Sequence, residues 1–256
     1  MEHVKPEEMW RAEPFYKDCD ETMIWSCLQG FMGDAWLDKL EKPEAARIVV
    51  ADFCFFAGKP SEDLVKNQVS NSMIMIPPDS GWERLIEQVY GDNAERIVRY
   101  AIKKEPDVFD IEKLKENTNR LPNGYHLEEV NRKFYEMLIN EEWSQDLCGN
   151  FSDYAAYRTL GMGVIAVQNG MPVAGASSYT VYNGGIEIEI DTMMAHRRKG
   201  LALACASKLI LMCLEKGLYP SWDAHDLRSA ALAEKLGYHM DREYTAYEVT
   251  LGGKEV

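Results

Sequence analysis

The stretch Ile186-Glu-Ile-Glu-Ile-Asp-Thr-Met-Met-Ala-His-Arg-Arg-Lys-Gly-Leu-Ala202 decides how this chain is read. Its first six residues alternate apolar and acidic, the period of a β-strand, with Ile186, Ile188 and Ile190 on one face and Glu187, Glu189 and Asp191 on the other. The basic run Arg197-Arg198-Lys199 follows. Gly200 then opens a strongly apolar segment to Lys216 that predicts a helix closed by Gly217. A strand that passes through a basic loop into a helix gathers positive potential in one place. The first helical turn has unpaired N–H groups, the helix dipole is positive there, and the basic side chains add to both. Gly200 lets a ligand approach the backbone closely, and Ala202 keeps the first turn free of bulk. The same cations would suit a solvated turn, but their position between a strand and an apolar helix favours a phosphate site. A Walker loop needs Lys and Ser or Thr after its second Gly, and a dinucleotide fingerprint needs G-x-G-x-x-G; neither is present.

Around this stretch the pattern is that of an antiparallel meander. Gly161 to Gln168, Val173 to Tyr182 and Ile186 to Thr192 are strand-like and are separated by Asn169-Gly170 and Asn183-Gly184-Gly185, which supply the positive φ angles of tight hairpin turns. Upstream, Tyr125 to Val130 reads as a strand, and Phe134 to Leu138, Trp143 to Leu147 and Tyr154 to Thr159 as short helices. Downstream come a strand at Pro220 to Ala224, a helix at Ser229 to Leu236 and a last β segment around Tyr238 to Leu251. The charged, turn-rich stretch from Lys113 to Gly124 is the candidate linker. Before it, Arg47 to Phe56 reads as a strand, Ala57 to Pro60 as a turn, Ser61 to Val69 as a helix capped by Ser61, and Ser72 to Ile76 as a strand ended by Pro77-Pro78. Ser80 to Tyr90 and Ala94 to Lys103 both read as amphipathic helices. No internal repeat is evident by eye, and a degenerate α/β copy in the first half stays open.

The chain has 256 residues, 46% of them apolar, enough for one large domain or two ordinary ones. Its formal charge of −14 argues against nucleic acid or anionic membrane as partner. That charge suits a cationic second substrate such as an amine, and equally suits solubility alone. The six cysteines show no C-x-x-C spacing and read as reduced thiols, and no metal site is predicted from His3, His126 and His239. Met1 to Trp10 lacks an apolar core of a signal peptide, and the apolar stretch Leu201 to Leu214 is too short to span a bilayer, so a cytoplasmic protein is expected.

Arg197-Arg-Lys-Gly-Leu-Ala202 resembles motif A of the GNAT acetyltransferases: Gln or Arg, two residues, Gly, one residue, Gly or Ala. The match extends through the preceding strand and through Ser229-Ala-Ala-Leu-Ala-Glu-Lys-Leu-Gly-Tyr238, which resembles the family's motif B. The resemblance implies an α/β (α+β) GNAT fold with a mixed, mostly antiparallel sheet over residues 121–256. A smaller α/β N-terminal domain over 1–120 precedes it, as in a bacterial subgroup with an N-terminal extension that includes zwittermicin-resistance-type enzymes.

The activity implied is transfer of acetyl from acetyl-coenzyme A to an amine, with a small-molecule acceptor first and a protein amine second, in a chain that acts alone or as a homodimer. By resemblance the pyrophosphate is held by Arg197, Arg198, Lys199, Gly200, Leu201 and Ala202, and the pantetheine arm by the backbone of Thr192, Met193 and Met194. Asp226 stands where the family has an Asn that contacts the pantetheine, and Ser229 is a second contact. Attack by an amine needs a base, and Glu189 and Glu187 are the candidates; the alternative is a solvent-facing acidic strand side. The family's general-acid Tyr falls at Ala233, which leaves Tyr238, Tyr179 or solvent for that role. His196 and His225 read as flanking rather than catalytic residues. The departures at Asp226 and Ala233 motivate one alternative, a non-catalytic coenzyme A-binding sensor or interaction protein.

Overall fold

In the computed structural model, which describes residues 1–67 and 69–251, the chain divides into two compact units. One is Met1–Arg99 together with the chain from Glu243 onward; the other is Tyr100–Arg242.

In the first unit, strand β1 (Glu2–Val4) is followed by helices α1 (Glu13–Tyr16) and α2 (Thr22–Leu28), then by strands β2 (Asp34–Leu37), β3 (Ala45–Val50) and β4 (Phe53–Gly58). Helix α3 (Glu62–Lys66), strand β5 (Ser72–Ile76), helix α4 (Ser80–Tyr90) and strand β6 (Ala94–Ile102) complete the run. Strands β1 to β4 form an antiparallel meander, and β5 joins β4 in parallel. Every residue of β3 is buried, Arg47 included, so AARIVV packs on both faces, and the guanidinium donates to the Leu64 carbonyl at 2.8 Å. Helix α4 places Trp82, Ile86 and Tyr90 in the core, the i, i+4, i+8 positions of one face, and Asp79 caps its first turn by accepting from the amides of Gly81 and Trp82.

The second unit holds α5 (Ile111–Thr118), β7 (His126–Glu129), α6 (Arg132–Leu138), α7 (Tyr154–Leu160), β8 (Gly163–Gln168), β9 (Met171–Tyr182) and β10 (Gly185–Thr192). Then come α8 (Leu201–Glu215), β11 (Tyr219–Ser221), β12 (Asp223–Ala224), α9 (Leu227–Leu236) and β13 (Met240–Thr250). Strands β7 to β10 are antiparallel and β11 is parallel to β10, giving the order β11-β10-β9-β8-β7. The sheets are therefore mixed and mostly antiparallel. Helix α8 packs on β8, β9 and β10 and on α5 as well. This is why its sequence is apolar nearly all round. Its one buried hydroxyl, Ser207, accepts from the Asn117 side chain of α5 at 3.1 Å. Among the described residues no helix is long and apolar enough to cross a membrane.

Several expectations are corrected. Arg47 to Phe56 is two strands in a hairpin: Ala51, at φ 53°, and Asp52 turn the chain, and Asp52 is the one polar residue between two apolar runs. Ala94 to Lys103 is strand β6, because Ile97, Val98 and Tyr100 suit a pleated surface as well as a helix face, and sheet pairing settles the choice. Lys113 to Gly124 is not where the chain divides. It contains the end of α5, whose Leu114 and Asn117 are buried while its charges face water. The division falls instead within two long strands, between Arg99 and Tyr100 in β6 and between Arg242 and Glu243 in β13.

Candidate active site

The ladder between β10 and β11 covers only Gly185–Glu187, paired with Tyr219–Ser221. Beyond it β10 continues along β9 to Thr192, while the chain after Ser221 passes through Trp222 into β12, which pairs with Tyr100 and Ala101 of β6. Two parallel strands thus begin together and part, opening a cleft at the C-terminal end of β10. Backbone polar groups alternate sides along a strand. The Met193 amide donates toward β9, to the Val173 carbonyl at 3.0 Å. The amide and carbonyl of Thr192 therefore face the cleft, and the carbonyl accepts from Arg197 Nε at 3.1 Å.

After β10 a single 3-10 turn, Met194–His196, leads into the basic loop. Arg198 and Gly200 both sit in the left-handed region, at φ 62° and 78°. A Cβ on Gly200 would meet nothing within 4 Å, so the approach to this backbone is open. Gly200 is the N-cap of α8 and contributes no capping side chain, and the first turn contains no acid. The amides of Leu201, Ala202 and Leu203 precede the first helical hydrogen bond, which runs from Ala204 N to Gly200 O at 3.1 Å. Arg197, Arg198 and Lys199 are exposed, and among the described residues none is ion-paired to a carboxylate. In a chain of charge −14, three cations without a carboxylate in ion-pair contact, beside an uncapped helix start, form an arrangement that suits an anion. This donor set, on the residues Arg197 to Ala202 that the sequence singled out, suits phosphate groups.

Tyr125, just before β7, was not anticipated. Its hydroxyl accepts from Lys199 Nζ at 2.9 Å and lies 2.9 Å from His196 Nδ1, and the Lys199 ammonium sits 5.5 Å from the centre of its ring. With the oxygen occupied by Lys199, the O–H proton points to His196. Loss of hydration and the nearby Lys199 both pull the imidazole below its usual pKa. A tyrosine more than seventy positions upstream of the loop offers no sequence signal of this role.

The three acids of β10 meet different surroundings. Tyr179 of β9 is an extra residue between the pairs Glu187–Thr180 and Ile188–Ser178, a bulge that bends the sheet between Glu187 and Glu189. Glu187 is buried, 4% exposed, near the tyrosines at 182, 219 and 238, whose hydroxyl pKa values its charge helps to raise. Glu189 is half-buried and its Oε1 accepts from the neighbouring Ile190 amide at 3.0 Å. Asp191 is half-buried, and its pKa is pushed up to about 6, first by loss of hydration, then by Asp146, against the opposing charge of Arg197. Asp146 lines a recess of about 340 Å³ with Tyr135, Ile139, Gln145, Asn150 and Phe151. The solvent-facing acidic strand expected as an alternative does not form: one acid is buried and the other two are half-buried.

The other candidates take structural positions. The Asp226 carboxylate caps α9, accepting from the amides of Arg228 and Ser229 at 2.9 Å each and pairing with the Arg228 guanidinium. Ser229 is half-buried, and its hydroxyl accepts from Trp222 Nε1 at 3.1 Å. Tyr238 is 1% exposed and donates to the Pro220 carbonyl at 2.6 Å, and burial drives its pKa well up. Ala233 is wholly buried, and Met194 is 79% exposed beside the loop.

A sequence profile described as GNAT acetyltransferase matches residues 13–247. The chain belongs to the GNAT acetyltransferase family. It is similar to a GCN5-related N-acetyltransferase-like protein of Streptococcus suis 89/1591, with 45% identity and a TM-score of 0.91 over 95% of this chain and 98% of that one. An uncharacterized N-acetyltransferase, YdfB of Bacillus subtilis (strain 168), is 26% identical over 200 residues, 77% of this chain and 72% of the relative. A tandem GNAT protein from the clavulanic acid biosynthesis pathway shares the fold, with a TM-score of 0.55 at 11% identity over 99% of both chains. This GNAT chain is thus an acyltransferase, and the family match begins at residue 13, within the region expected to lie outside the family core.

Proposed function

We propose that this GNAT chain transfers acetyl from acetyl-coenzyme A to the amine of a small molecule, by direct attack with general-base assistance. The observation that carries the reading is the uncapped start of α8 at Gly200, flanked by three cations without carboxylate partners and set beside the parting of β10 from β11. Bound acetyl-coenzyme A would supply the activated acetyl group as a thioester. Gly200, Leu201 and Ala202 would hold its pyrophosphate through backbone amides, and Arg197, Arg198 and Lys199 would neutralise phosphate charge. Thr192 offers the cleft-facing amide for the pantetheine arm and for the thioester carbonyl as negative charge develops there. Met193 is set aside from that role because its amide is already engaged.

Of the β10 acids, the geometry supports Asp191 as base ahead of Glu189 and Glu187. Its pKa of about 6 leaves it ionised at neutral pH and able to take a proton from the acceptor's ammonium. In the balanced step the ammonium gives one proton to Asp191 and attacks as the free amine, the C–N bond forms, the C–S bond breaks, and the second proton of the nitrogen passes through solvent to the departing thiolate. Tyr238 is not assigned as the acid, since its hydroxyl is buried on Pro220. Asp146, lining the recess beside Asp191, favours a cationic acceptor, in line with an amino-containing antibiotic or metabolite handled in the cytoplasm as by zwittermicin-resistance-type enzymes.

The test is acetyl-coenzyme A calorimetry together with acetylation of a panel of aminated small molecules. Asp191→Asn should bind the thioester normally and acetylate at least a hundredfold more slowly. Absence of binding by the parent chain would sink the cofactor assignment, and full activity in Asp191→Asn would sink the base.

A further inference from the structure

We infer that the unit containing Met1–Arg99 is a second copy of the same topology whose cofactor cleft is filled by its own Trp82, so that each chain binds one coenzyme A. The inference rests on the coenzyme A site proposed above. The order of elements repeats. In each half of the sequence a strand, two helices and an antiparallel meander lead to a helix, a strand parallel to the last meander strand, a further helix and a long strand: β1 to β6 with α1 to α4, and β7 to β13 with α6 to α9, where the short β12 is an addition. Pairing repeats as well. The β4–β5 ladder covers three residues, Phe53–Phe55 against Ile74–Ile76, as the β10–β11 ladder covers Gly185–Glu187. The last helix of each copy starts with the same cap. Asp79 accepts from the amides two and three residues on, and so does Asp226.

Aligned on that cap, Trp82 in α4 corresponds to Ser229 in α9. Beyond the end of the β4–β5 ladder, the Trp82 ring stacks on Phe56 at 4.6 Å and its Nε1 donates to the Gly58 carbonyl at 3.0 Å. Trp82 is wholly buried in a cluster with Cys54, Phe56, Leu64 and Met75. A bulky indole thus occupies the place where, in the other copy, the parallel strands part. The phosphate end is also lost. Helix α3 has only 5 residues and carries Glu62 and Asp63 in its first turn, where α8 has no acid. Gly58 cannot accept a Cβ because the Glu44 carbonyl lies 2.2 Å from where it would be. A negative, short helix start repels the pyrophosphate that α8 attracts.

The test is calorimetry of the full chain with coenzyme A. One site per chain is expected in the parent, and the same single site weakened at least fivefold in Gly200→Glu. A second site in the parent, or one-to-one binding of unchanged affinity in Gly200→Glu, would put coenzyme A in the first copy and overturn the inference. Absence of binding by the parent would count against the proposed function instead, and the filled cleft is then decided by a readout without coenzyme A. Trp82→Ala should melt at least 6 °C lower than the parent and recover part of that loss in millimolar indole. A folded Trp82→Ala that indole does not stabilise would overturn the filled cleft.

Discussion

Replacing Gly200 separates the backbone role of this position from its electrostatic one. Gly200 holds φ 78°, and nothing lies within 4 Å of the Cβ that a substitution would add. Gly200→Ala therefore meets only left-handed strain, about 1–2 kcal/mol, partly offset by about 0.4–1 kcal/mol from a less flexible unfolded chain. A net loss near 1 kcal/mol lowers Tm by about 2–4 °C in a domain of this size. Coenzyme A affinity should change little, and Gly200→Gln, which adds bulk into open space, should behave alike. Gly200→Glu adds a negative charge where the pyrophosphate is placed. Two like charges about 4 Å apart cost about 1 kcal/mol in water and about 4 kcal/mol near a protein surface. At 1.4 kcal/mol per factor of ten, Kd should rise from about fivefold to several hundredfold. High salt screens this term, so the gap between Glu and Gln variants should narrow at 0.5 M salt. The assay is calorimetric titration with coenzyme A at low and high salt, with melting curves for each variant. Equal affinities for the Ala, Gln and Glu variants would refute a phosphate at the α8 start.

Asp191 should give a pH limb: acetylation rises as pH passes about 6, where the carboxylate ionises, and Asp191→Asn should lose the limb and fall about 10²- to 10⁴-fold in kcat. The folded pKa is raised, so the folded state holds this proton more tightly, and stability should decline as pH climbs from 3.8 through about 6 in the parent but less in Asp191→Asn, read from melting curves. Tyr125→Phe removes the hydroxyl shared by His196 and Lys199 and should raise KM for acetyl-coenzyme A about two- to tenfold with kcat nearly unchanged. An equal fall in kcat would contradict a purely positioning role. Gly163→Ala would place a Cβ 2.4 Å from the Tyr157 hydroxyl and 2.7 Å from Ser177 Oγ, costing about 1–3 kcal/mol by overpacking. Thermal melting checks this, with coenzyme A affinity retained below the transition.

From residue 125 onward the fold was legible because local signals agree with one another. Asn169-Gly170 adopts the positive φ values a tight hairpin needs, at 52° and 79°, and the apolar run after Gly200 became a buried helix. The elements of the candidate anion site were legible for the same reason, since strand, basic loop and helix start are contiguous in sequence. What failed was decided by partners remote in sequence. Ala94 to Ile102 carries residues compatible with helix or strand and takes its conformation from sheet neighbours, and the turn at Ala51 and Asp52 is marked by a single polar residue between two apolar runs.

The catalytic side of the site needed the tertiary structure. Three acids alternating along β10 look equivalent in sequence, but a bulge at Tyr179 and the approach of Asp146 divide them: Glu187 is buried near tyrosines, and Asp191 is left half-buried with a raised pKa. Tyr125 reaches the loop only through folding. The sequence by itself determined where backbone amides and cations gather, because helix starts and charge runs are local properties. Tertiary structure decided which carboxylate is shifted toward neutral pH and which tyrosines are buried, because desolvation and packing depend on what folding brings alongside.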